Sequence, residues 1–320
     1  MNKQPSNRYE RITTPAPMRF QTRDGAIMQA LHTYDGVLAR RQIKALFWKD
    51  ASLKTMERRL TLLYHNGFIN MPSLEDRRIY PISEPIVWLG WRGILHIANQ
   101  LEVEVDDPLS SNENQLRMLE KKLRQLGIHW QREPRWSQLG HDIAVNDFRM
   151  MIEKAVSYWP SLELEQWIPE SEFLSNMDVI ALKNRSKGVR PDGFFVLLDN
   201  MHLINNSPAK ARFLLEFDNG THPVTRFGRD KAIPGMAYIR SKAYRERFGF
   251  NSGRWLVVCK SEIRMQHLKE RTEKVLGSNA SYFFFTFMDN INFKSVFSQP
   301  VWYCGGAKEP MQLIQNIGDL

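Results

Sequence analysis

Three carboxylates lie near the ends of two apolar segments, Val189–Leu198 and Ala211–Asp218. A polar loop joins the segments, so together they predict a β-hairpin. The two-residue period of a strand places Glu216 and Asp218 on one face of the second strand. Asp192 lies near the start of the first strand. The pairing of a hairpin can therefore bring all three carboxylates together.

Carboxylates grouped at the ends of apolar strands have a definite chemical use. Half-buried like charges lose hydration and repel one another unless they share a cation. Mg²⁺ or Mn²⁺, bound by one to three carboxylates and water, relieves that cost and can activate water to attack a phosphodiester. The alternative is that Asp192 caps a turn while Glu216 and Asp218 are hydrated at a strand end. The spacing leaves both interpretations open.

The composition indicates a folded protein of about two domains. Of the 320 residues, 42% are hydrophobic, which is ample for buried cores. The longest apolar runs have the length of a strand, and the polar N-terminus has no signal-peptide core, so we expect a cytoplasmic protein without a membrane segment. Cys259 and Cys304 are too few and too far apart for a disulfide framework or a zinc knuckle.

Positive charge is concentrated at the N-terminal end. Residues 1–80 contain 14 Lys or Arg and 7 Asp or Glu, a net charge of +7 out of +9 for the whole chain. Such a localised excess is typical of a nucleic-acid-binding module. The alternatives are a hydrated surface, or a module that dimerises or docks on another protein.

Residues 20–107, after a proline-containing arm, are expected to form a winged helix-turn-helix domain. In its third helix the apolar residues recur on one face and leave a polar, basic face of the kind that enters the DNA major groove. Ser52 is the expected N-cap of this helix, and Gly67 ends it. The helices are expected at Arg23–Tyr34, Arg40–Trp48 and Leu53–Asn66.

Two short strands after the third helix are expected to form the wing, with basic residues at its tip. These strands are Phe68–Asn70 and Arg78–Ile82. A fourth helix is expected within Pro85–Val105, followed by a linker over Asp106–Asn112. Most of the expected DNA contacts are to phosphate, and the residues that make them are Arg40, Arg41, Lys44, Lys54, Arg58, Arg59, Arg77 and Arg78.

Residues 113–290 are expected to form a mixed α/β domain, a β-sheet flanked by helices. Residues 291–320 are expected to be an irregular tail. A helix over 141–159 begins with His141 and Asp142, which could face a cleft or be hydrated like most helix residues. The other expected elements are helices at Gln115–Leu126, Val224–Arg247 and Glu262–Leu276, and strands at Leu162–Ile168, Trp255–Cys259 and Ser281–Phe287.

This order of elements, with Pro191-Asp192 on one strand and Glu216-x-Asp218 on the next, resembles the PD-(D/E)XK restriction-endonuclease-like fold. The resemblance implies that Asp192 and Glu216 hold one or two Mg²⁺ ions. A third residue of that fold, usually Lys, helps to orient the attacking water. Here that position is Asp218, which is a departure. Lys231 on the following helix could supply the ammonium group instead, or could be exposed to solvent as most lysines on helices are.

A basic winged helix that includes RDGAIMQAL, followed by HDIAVNDFR, VRPDGFFVL and FLLEFDNGT, is similar to the replication-relaxation family of plasmids and other mobile elements. The resemblance covers most of residues 22–275. It implies a DNA-binding role in replication, maintenance or control of a mobile element. Double-stranded DNA is then the expected partner, while a homodimer and contacts with replication or mobile-element proteins remain open.

Several enzyme classes are excluded by motifs that the sequence lacks. It has no pair of histidines one residue apart, as a His-rich nicking relaxase needs, no G-x-x-x-x-G-K-[ST] loop and no G-x-S-x-G elbow. The favoured function is a DNA-binding factor whose nuclease-like domain has lost catalysis. The alternative is a Mg²⁺- or Mn²⁺-dependent DNA endonuclease that the winged helix directs. Its candidate metal ligands are Asp192, Glu216 and Asp218, with Lys231, His141 and Asp142 as further catalytic candidates.

Overall fold

The structure is a computed structural model that forms two compact units, Met1–Asn146 and Asp147–Leu320. Pro81 of the expected wing and Asp106–Ser111 of the expected linker lie outside the described residues. Among the residues that are described, no helix combines the length and the apolar character needed to cross a membrane. The described residues are 10–49, 52–80, 82–105, 112–183 and 185–315.

In the first unit, helices surround a small antiparallel sheet with the strand order β1-β3-β2. The apolar face of α3 is buried through Met56, Leu60 and Leu63, and Ser52 caps this helix by accepting a hydrogen bond from the Thr55 N–H at 3.3 Å. The elements are α1 Thr22–Thr33, β1 Val37–Ala39, α2 Arg40–Phe47, α3 Leu53–His65, β2 Ile69–Asn70, α4 Leu74–Ile79, β3 Ile86–Leu89, α5 Trp91–Gln100 and α6 Glu113–Gln125.

Two expectations for this unit are corrected by the structure. The expected tip and second strand of the wing contain the helix α4, because Ser73 and Asp76 form a capping box: the Ser73 Oγ accepts from the Asp76 N–H at 3.0 Å, and the Asp76 carboxylate accepts from the Ser73 N–H at 2.7 Å. The expected fourth helix begins instead with the buried strand β3. A short apolar run such as Ile86–Leu89 has no period that separates strand from helix.

The two units divide after Asn146, whereas the sequence pattern placed the domain boundary between residues 107 and 113. The Asn146 side chain lies in the core of the first unit, where its Nδ2 donates to the Tyr34 carbonyl at 3.1 Å and to the Val37 carbonyl at 2.9 Å. These bonds anchor the start of α7, Leu139–Tyr158, in the first unit. The linker-like composition before α6 therefore does not mark the boundary of the compact units.

The second unit is built on a six-stranded mixed sheet with the strand order β11-β10-β9-β8-β7-β4. The neighbours β8, β9 and β10 are parallel, and the other pairs are antiparallel. The elements are β4 Leu162–Pro169, α8 Glu170–Ser175, β5 Asp178–Leu182, β6 Arg185–Val189, β7 Gly193–Ile204, β8 Ser207–Asp218, α9 Val224–Phe227, α10 Ile233–Ile239, α11 Lys242–Phe248, β9 Arg254–Cys259, α12 Glu262–Leu276, β10 Phe283–Phe287 and β11 Tyr303–Cys304.

The central hairpin is present but longer than expected. Its strands β7 and β8 continue through the expected polar loop to a tight turn at Asn205 and Asn206, whose φ angles are 52° and 62°. Asparagine tolerates this left-handed conformation, which a two-residue hairpin turn requires. Val189, the expected start of the first strand, instead ends β6, which pairs with β5 in a separate two-stranded ribbon. The polar, basic sequence of β6 gave no apolar strand pattern to detect.

The helix expected over Val224–Arg247 is divided into three pieces. Between α9 and α10 the chain forms a π-helical turn at Gly228–Ala232. Pro234 has no N–H to donate to the carbonyl of residue 230, so the regular hydrogen-bond pattern cannot continue and the helix widens there. Ser241 then caps α11, accepting a hydrogen bond from the Tyr244 N–H at 3.0 Å.

The segment after residue 290 is not an irregular tail. It supplies β11, which pairs with β10 at one edge of the sheet. Trp302 and Phe297 in this segment are fully buried, and the Trp302 Nε1 donates to the Val296 carbonyl at 2.8 Å. Because glycines and polar residues interrupt this segment, its sequence gave no pattern from which these buried residues could be predicted.

Candidate metal centre

Asp192 is fixed by the backbone of the neighbouring strand. It directly precedes β7, and its N–H donates to the Leu215 carbonyl at 2.9 Å. Its Oδ2 accepts a hydrogen bond from the Phe217 N–H at 2.6 Å. Only 5% of the residue is exposed. These two hydrogen bonds between the strands of the hairpin hold the carboxylate beside the end of β8.

Glu216 forms an ion pair with Lys231, a residue that lies outside the sheet. The Lys231 Nζ donates to the Glu216 Oε2 at 2.7 Å. Glu216 is 7% exposed, so its charge would be costly without such a partner. Lys231 lies on the π-helical turn, a type of irregularity that is frequent at functional sites.

The protonation of Lys231 follows from its neighbours. Burial lowers the pKa of Lys231, but the charges of Glu216 and Asp192 and the hydrogen bond to Glu216 outweigh burial, so the pKa is raised above its ordinary value. The ammonium form is therefore present at neutral pH. The structure thus brings together the predicted residues Asp192, Glu216 and Lys231 from three separate segments.

Asp218 lies on the same strand as Glu216 but has different partners. Arg264 binds both oxygens of Asp218 with its guanidinium fork, at 2.7 Å from Nε and 2.9 Å from Nη2. The Gly220 N–H donates to the Asp218 Oδ1 at 2.8 Å, in a turn that needs the positive φ of 76° at Gly220. Since its oxygens already accept three hydrogen bonds, two of them from a cation, Asp218 is the least suited of the three predicted ligands to hold a metal ion.

Arg264 is a residue of this site that was not predicted. It lies in the first turn of α12, where the helix dipole disfavours a positive charge. That unfavourable position was the one signal in the sequence that a carboxylate partner lies nearby. Arg264 also donates to the His222 carbonyl at 2.7 Å, so it connects the end of β8 to the loop that follows.

The arrangement suits a hard divalent cation. Carboxylate oxygens are the ligands that Mg²⁺ and Mn²⁺ prefer, usually one or two carboxylates with several waters. The buried carboxylates of Asp192 and Glu216 could provide such oxygens, since both lie close enough to Lys231 for their charges to raise its pKa. The donor set therefore fits Mg²⁺ or Mn²⁺ better than a soft metal, which would need sulfur or imidazole ligands.

His141 and Asp142 belong to the first unit, in the first turn of α7. Asp142 is largely buried, and its Oδ2 accepts a hydrogen bond from the Arg135 Nε at 3.2 Å. This ion pair gives Asp142 a structural role within that unit. A catalytic role for His141 and Asp142 stays a prediction.

The basic residues predicted to touch DNA differ in their surroundings. Lys54 and Arg58 are exposed on α3, and Arg78 is exposed at the end of α4. Arg41 pairs with Glu84 at 2.8 Å and remains half exposed. The side chains of Arg40, Lys44 and Arg77 are partly buried. These seven residues stay predicted contacts.

The Arg59 side chain forms hydrogen bonds within the first unit. Its Nε donates to the Asp24 Oδ1 at 2.8 Å, and Asp24 is fully buried. Its Nη2 donates to the Arg19 carbonyl at 2.9 Å. Removing this cation would leave a buried carboxylate unpaired, so Arg59 joins α3 to α1 and is no longer a good candidate for DNA contact.

A family model described as replication-relaxation matches residues 30–232, which is more than half of the chain. The chain belongs to the replication-relaxation family. The match includes α2, α3 and the carboxylates of the hairpin, and it ends just after Lys231. The matched region therefore contains Asp192, Glu216 and Lys231 together with the basic helices α2 and α3, and the resemblance seen in the sequence motifs is confirmed.

No curated protein is significantly similar to the sequence. A solved structure of the restriction endonuclease FokI bound to DNA matches with a TM-score of 0.19 and 13% identity, over 78% of this chain and 41% of that chain. At that TM-score the similarity does not establish a common fold.

Proposed function

We propose that this replication-relaxation protein binds DNA of a plasmid or other mobile element and that its second unit cleaves phosphodiester bonds with Mg²⁺ or Mn²⁺. One observation carries the proposal: Asp192, Glu216 and the Lys231 ammonium converge at the end of β8. The presence of the Lys231 ammonium favours an active nuclease over a binding protein that has lost catalysis. The third position of the strand motif, usually Lys, is Asp218 here, and Lys231 on the adjacent helical segment supplies the ammonium group instead.

Each residue of the centre has a distinct role in this proposal. Asp192 and Glu216 would hold the ion, which, when bound, lowers the pKa of water and polarises the phosphate. The Lys231 ammonium would orient the attacking water and stabilise the negative charge that develops on the phosphate. The Asp218–Arg264 pair would act through position only, by fixing the end of the strand that carries Glu216.

The order of elements supports a PD-(D/E)XK nuclease-like fold for the second unit. A helix, α7, precedes three antiparallel strands, β4, β7 and β8, and helical segments then lead to the parallel strand β9. Glu216 belongs to β8, and Asp192 directly precedes the neighbouring strand β7, which is the arrangement that this fold would need. The ribbon of β5 and β6 is then an insertion between its first and second strands.

The first unit supports the DNA-binding part of the proposal. The order α1, β1, α2, α3, β2, α4, β3, with the sheet order β1-β3-β2, supports a winged helix-turn-helix whose wing contains the helix α4. Its third helix, α3, buries one face and exposes Lys54 and Arg58 on another. We infer that α3 enters the major groove of double-stranded DNA and that α4, in the wing, lies near the backbone.

The test of the proposed function is incubation of the full chain with supercoiled plasmid in Mg²⁺ or Mn²⁺, with EDTA as control. We expect nicked or linear plasmid, no conversion by Asp192→Ala, and a cleavage rate about 10²–10³-fold lower for Lys231→Met. Binding in EDTA should remain in both variants. Binding without cleavage by the unmodified protein, on several DNA substrates, would instead favour a DNA-binding factor with a degenerate centre.

A further inference from the structure

Four cations of the second unit gather around a single carboxylate, Asp230. Arg229 Nη2 lies 3.0 Å from the Asp230 Oδ2, Arg185 Nη2 lies 3.3 Å from its Oδ1, and Arg226 Nε lies 3.4 Å from its Oδ2. Lys187 is close enough for its charge to lower the pKa of Asp230. We call these five residues the Asp230 cluster.

The Asp230 cluster carries a surplus of positive charge. The Arg229 hydrogen bond and the other nearby cations hold the pKa of Asp230 well below its ordinary value, so this carboxylate stays ionised. In the described part of the chain, Asp230 is the carboxylate that pairs with these arginines, which leaves a net charge of about +3. The side chains of Arg185, Arg226 and Arg229 are 46%, 53% and 65% exposed, so the surplus faces solvent.

The cluster is assembled by the fold. Arg185 and Lys187 belong to β6, while Arg226 and Arg229 belong to α9 and the π-helical turn. Asp230 is the chain neighbour of Lys231, whose ammonium contacts Glu216 at 2.7 Å. The cluster and the candidate metal centre therefore share the π-helical turn, which carries Arg229, Asp230 and Lys231.

We propose that the Asp230 cluster binds the phosphate backbone of DNA beside the bond that is cut. This inference rests on the proposed function, since it takes DNA as the substrate. Guanidinium groups bind phosphate with paired hydrogen bonds, and three of them on exposed side chains from two segments suit successive phosphates of a polymer. This contact is separate from α3, so the second unit would bind DNA through residues of its own.

The test compares two charge-matched double variants of the full chain. Arg185→Gln/Arg229→Gln removes two cations of the cluster, and Lys294→Gln/Lys308→Gln removes two exposed lysines from the segment after β10. Binding to a fluorescent duplex is measured in EDTA from roughly 50 to 200 mM salt, a range in which phosphate contacts dominate the salt dependence. Thermal unfolding of each variant checks that the fold is kept.

We expect the slope of log K against log salt to become shallower by about 0.9 per lost contact, so by roughly two in the cluster variant, and to stay unchanged in the control. An unchanged slope in the cluster variant, with normal binding by the unmodified protein, would overturn this inference and leave the nuclease proposal standing. A failure of the unmodified protein to bind duplex DNA would overturn the proposed function itself. Equal competition by free phosphate and by an oligonucleotide, at the same phosphate concentration, would also overturn the inference about the Asp230 cluster, because the cluster would then be a site for small anions.

Discussion

Glu216 pairs with a lysine from a helical segment, whereas Asp218, two positions further along the same strand, pairs with an arginine. Asp218 accepts three hydrogen bonds, from both nitrogens of the Arg264 fork and from the Gly220 N–H. Glu216 accepts from the Lys231 ammonium at 2.7 Å. Two carboxylates on one face of one strand thus pair with different cations, which come from different helical segments.

The role of Asp218 is tested by Asp218→Asn. The asparagine cannot accept both donors of the Arg264 fork, and the pair is largely buried, with side chains 12% and 14% exposed. We expect the free energy of unfolding to fall by roughly 1.5–3 kcal/mol, with metal-dependent cleavage retained below the melting temperature. Urea unfolding and plasmid cleavage measure the two quantities.

The matched control for Asp218→Asn is Glu246→Gln, which breaks the exposed pair of Lys242 and Glu246 on α11. An exposed pair of this kind contributes about 0.3–0.5 kcal/mol. Complete loss of cleavage in a stably folded Asp218→Asn protein would contradict this prediction and would show that cleavage depends on the Asp218 carboxylate.

At the scale of elements, the π-helical turn decides where Lys231 lies. A regular helix from residue 224 onward would turn by a fixed angle at each residue, whereas the wider turn at Gly228–Ala232 changes the direction of the side chains that follow. Gly228 belongs to the same turn, and a Cβ at this position would lie 2.8 Å from the Arg271 Nε. Any side chain at this position would therefore require the Arg271 side chain on α12 to shift.

Pro234→Ala tests the turn. The new N–H can donate to the carbonyl of residue 230, so we expect residues 228–232 to approach a regular α-helix and to shift the Lys231 Nζ away from Glu216. A displacement of about 1 Å can lower a reaction rate by about 10²-fold. Single-turnover cleavage should fall accordingly, with DNA binding in EDTA unchanged.

The control for this change is Pro223→Ala, which alters the exposed proline that precedes α9 outside the helix. Its cleavage rate should match that of the unmodified protein. If Pro234→Ala also cleaves at the normal rate, the π-helical turn does not position Lys231 for catalysis.

At the scale of the whole molecule, the proposed function places most of the DNA affinity in the first unit and DNA cleavage in the second. Residues 1–80 carry a net charge of +7, and the remaining 240 residues carry +2. The small net charge of the second part does not prevent a local surplus, because the acids and bases are not evenly placed. The first unit would then supply most of the affinity, while the second unit would place the backbone at the candidate centre.

This division of roles predicts that Lys54→Gln/Arg58→Gln weakens DNA binding without changing the cleavage step. Each lost phosphate contact should make the salt dependence shallower by about 0.9, and the cleavage rate at saturating protein should be unaltered. Anisotropy titrations and single-turnover cleavage separate these two effects.

The control for this pair is Lys121→Gln/Arg124→Gln, which removes the same charges from exposed positions of α6 in the same unit. Its binding should resemble that of the unmodified protein. Equal loss of affinity in both double variants would indicate a diffuse charge effect and would count against α3 as the recognition helix.

The sequence by itself determined several of the helices and the acidic end of the strand β8. Ser52 and Gly67 bounded α3, the apolar period defined α7, and the residues of α12 were predicted to the position, because caps and periodicity are properties of neighbouring residues. The alternation along β8 also placed Glu216 and Asp218 on one face. The family motifs were read from the same short segments, and the family match agrees with them.

Only the tertiary structure decided which cation meets which carboxylate. Lys231 lies 15 positions after Glu216, and Arg264 lies 46 positions after Asp218. Such pairings depend on helix packing against the sheet and on one interrupted hydrogen bond at Pro234, and neither leaves a period in the sequence. The Asp230 cluster follows the same rule, because β6 and the π-helical turn are distant in the chain and their charges sum only where the fold brings them together.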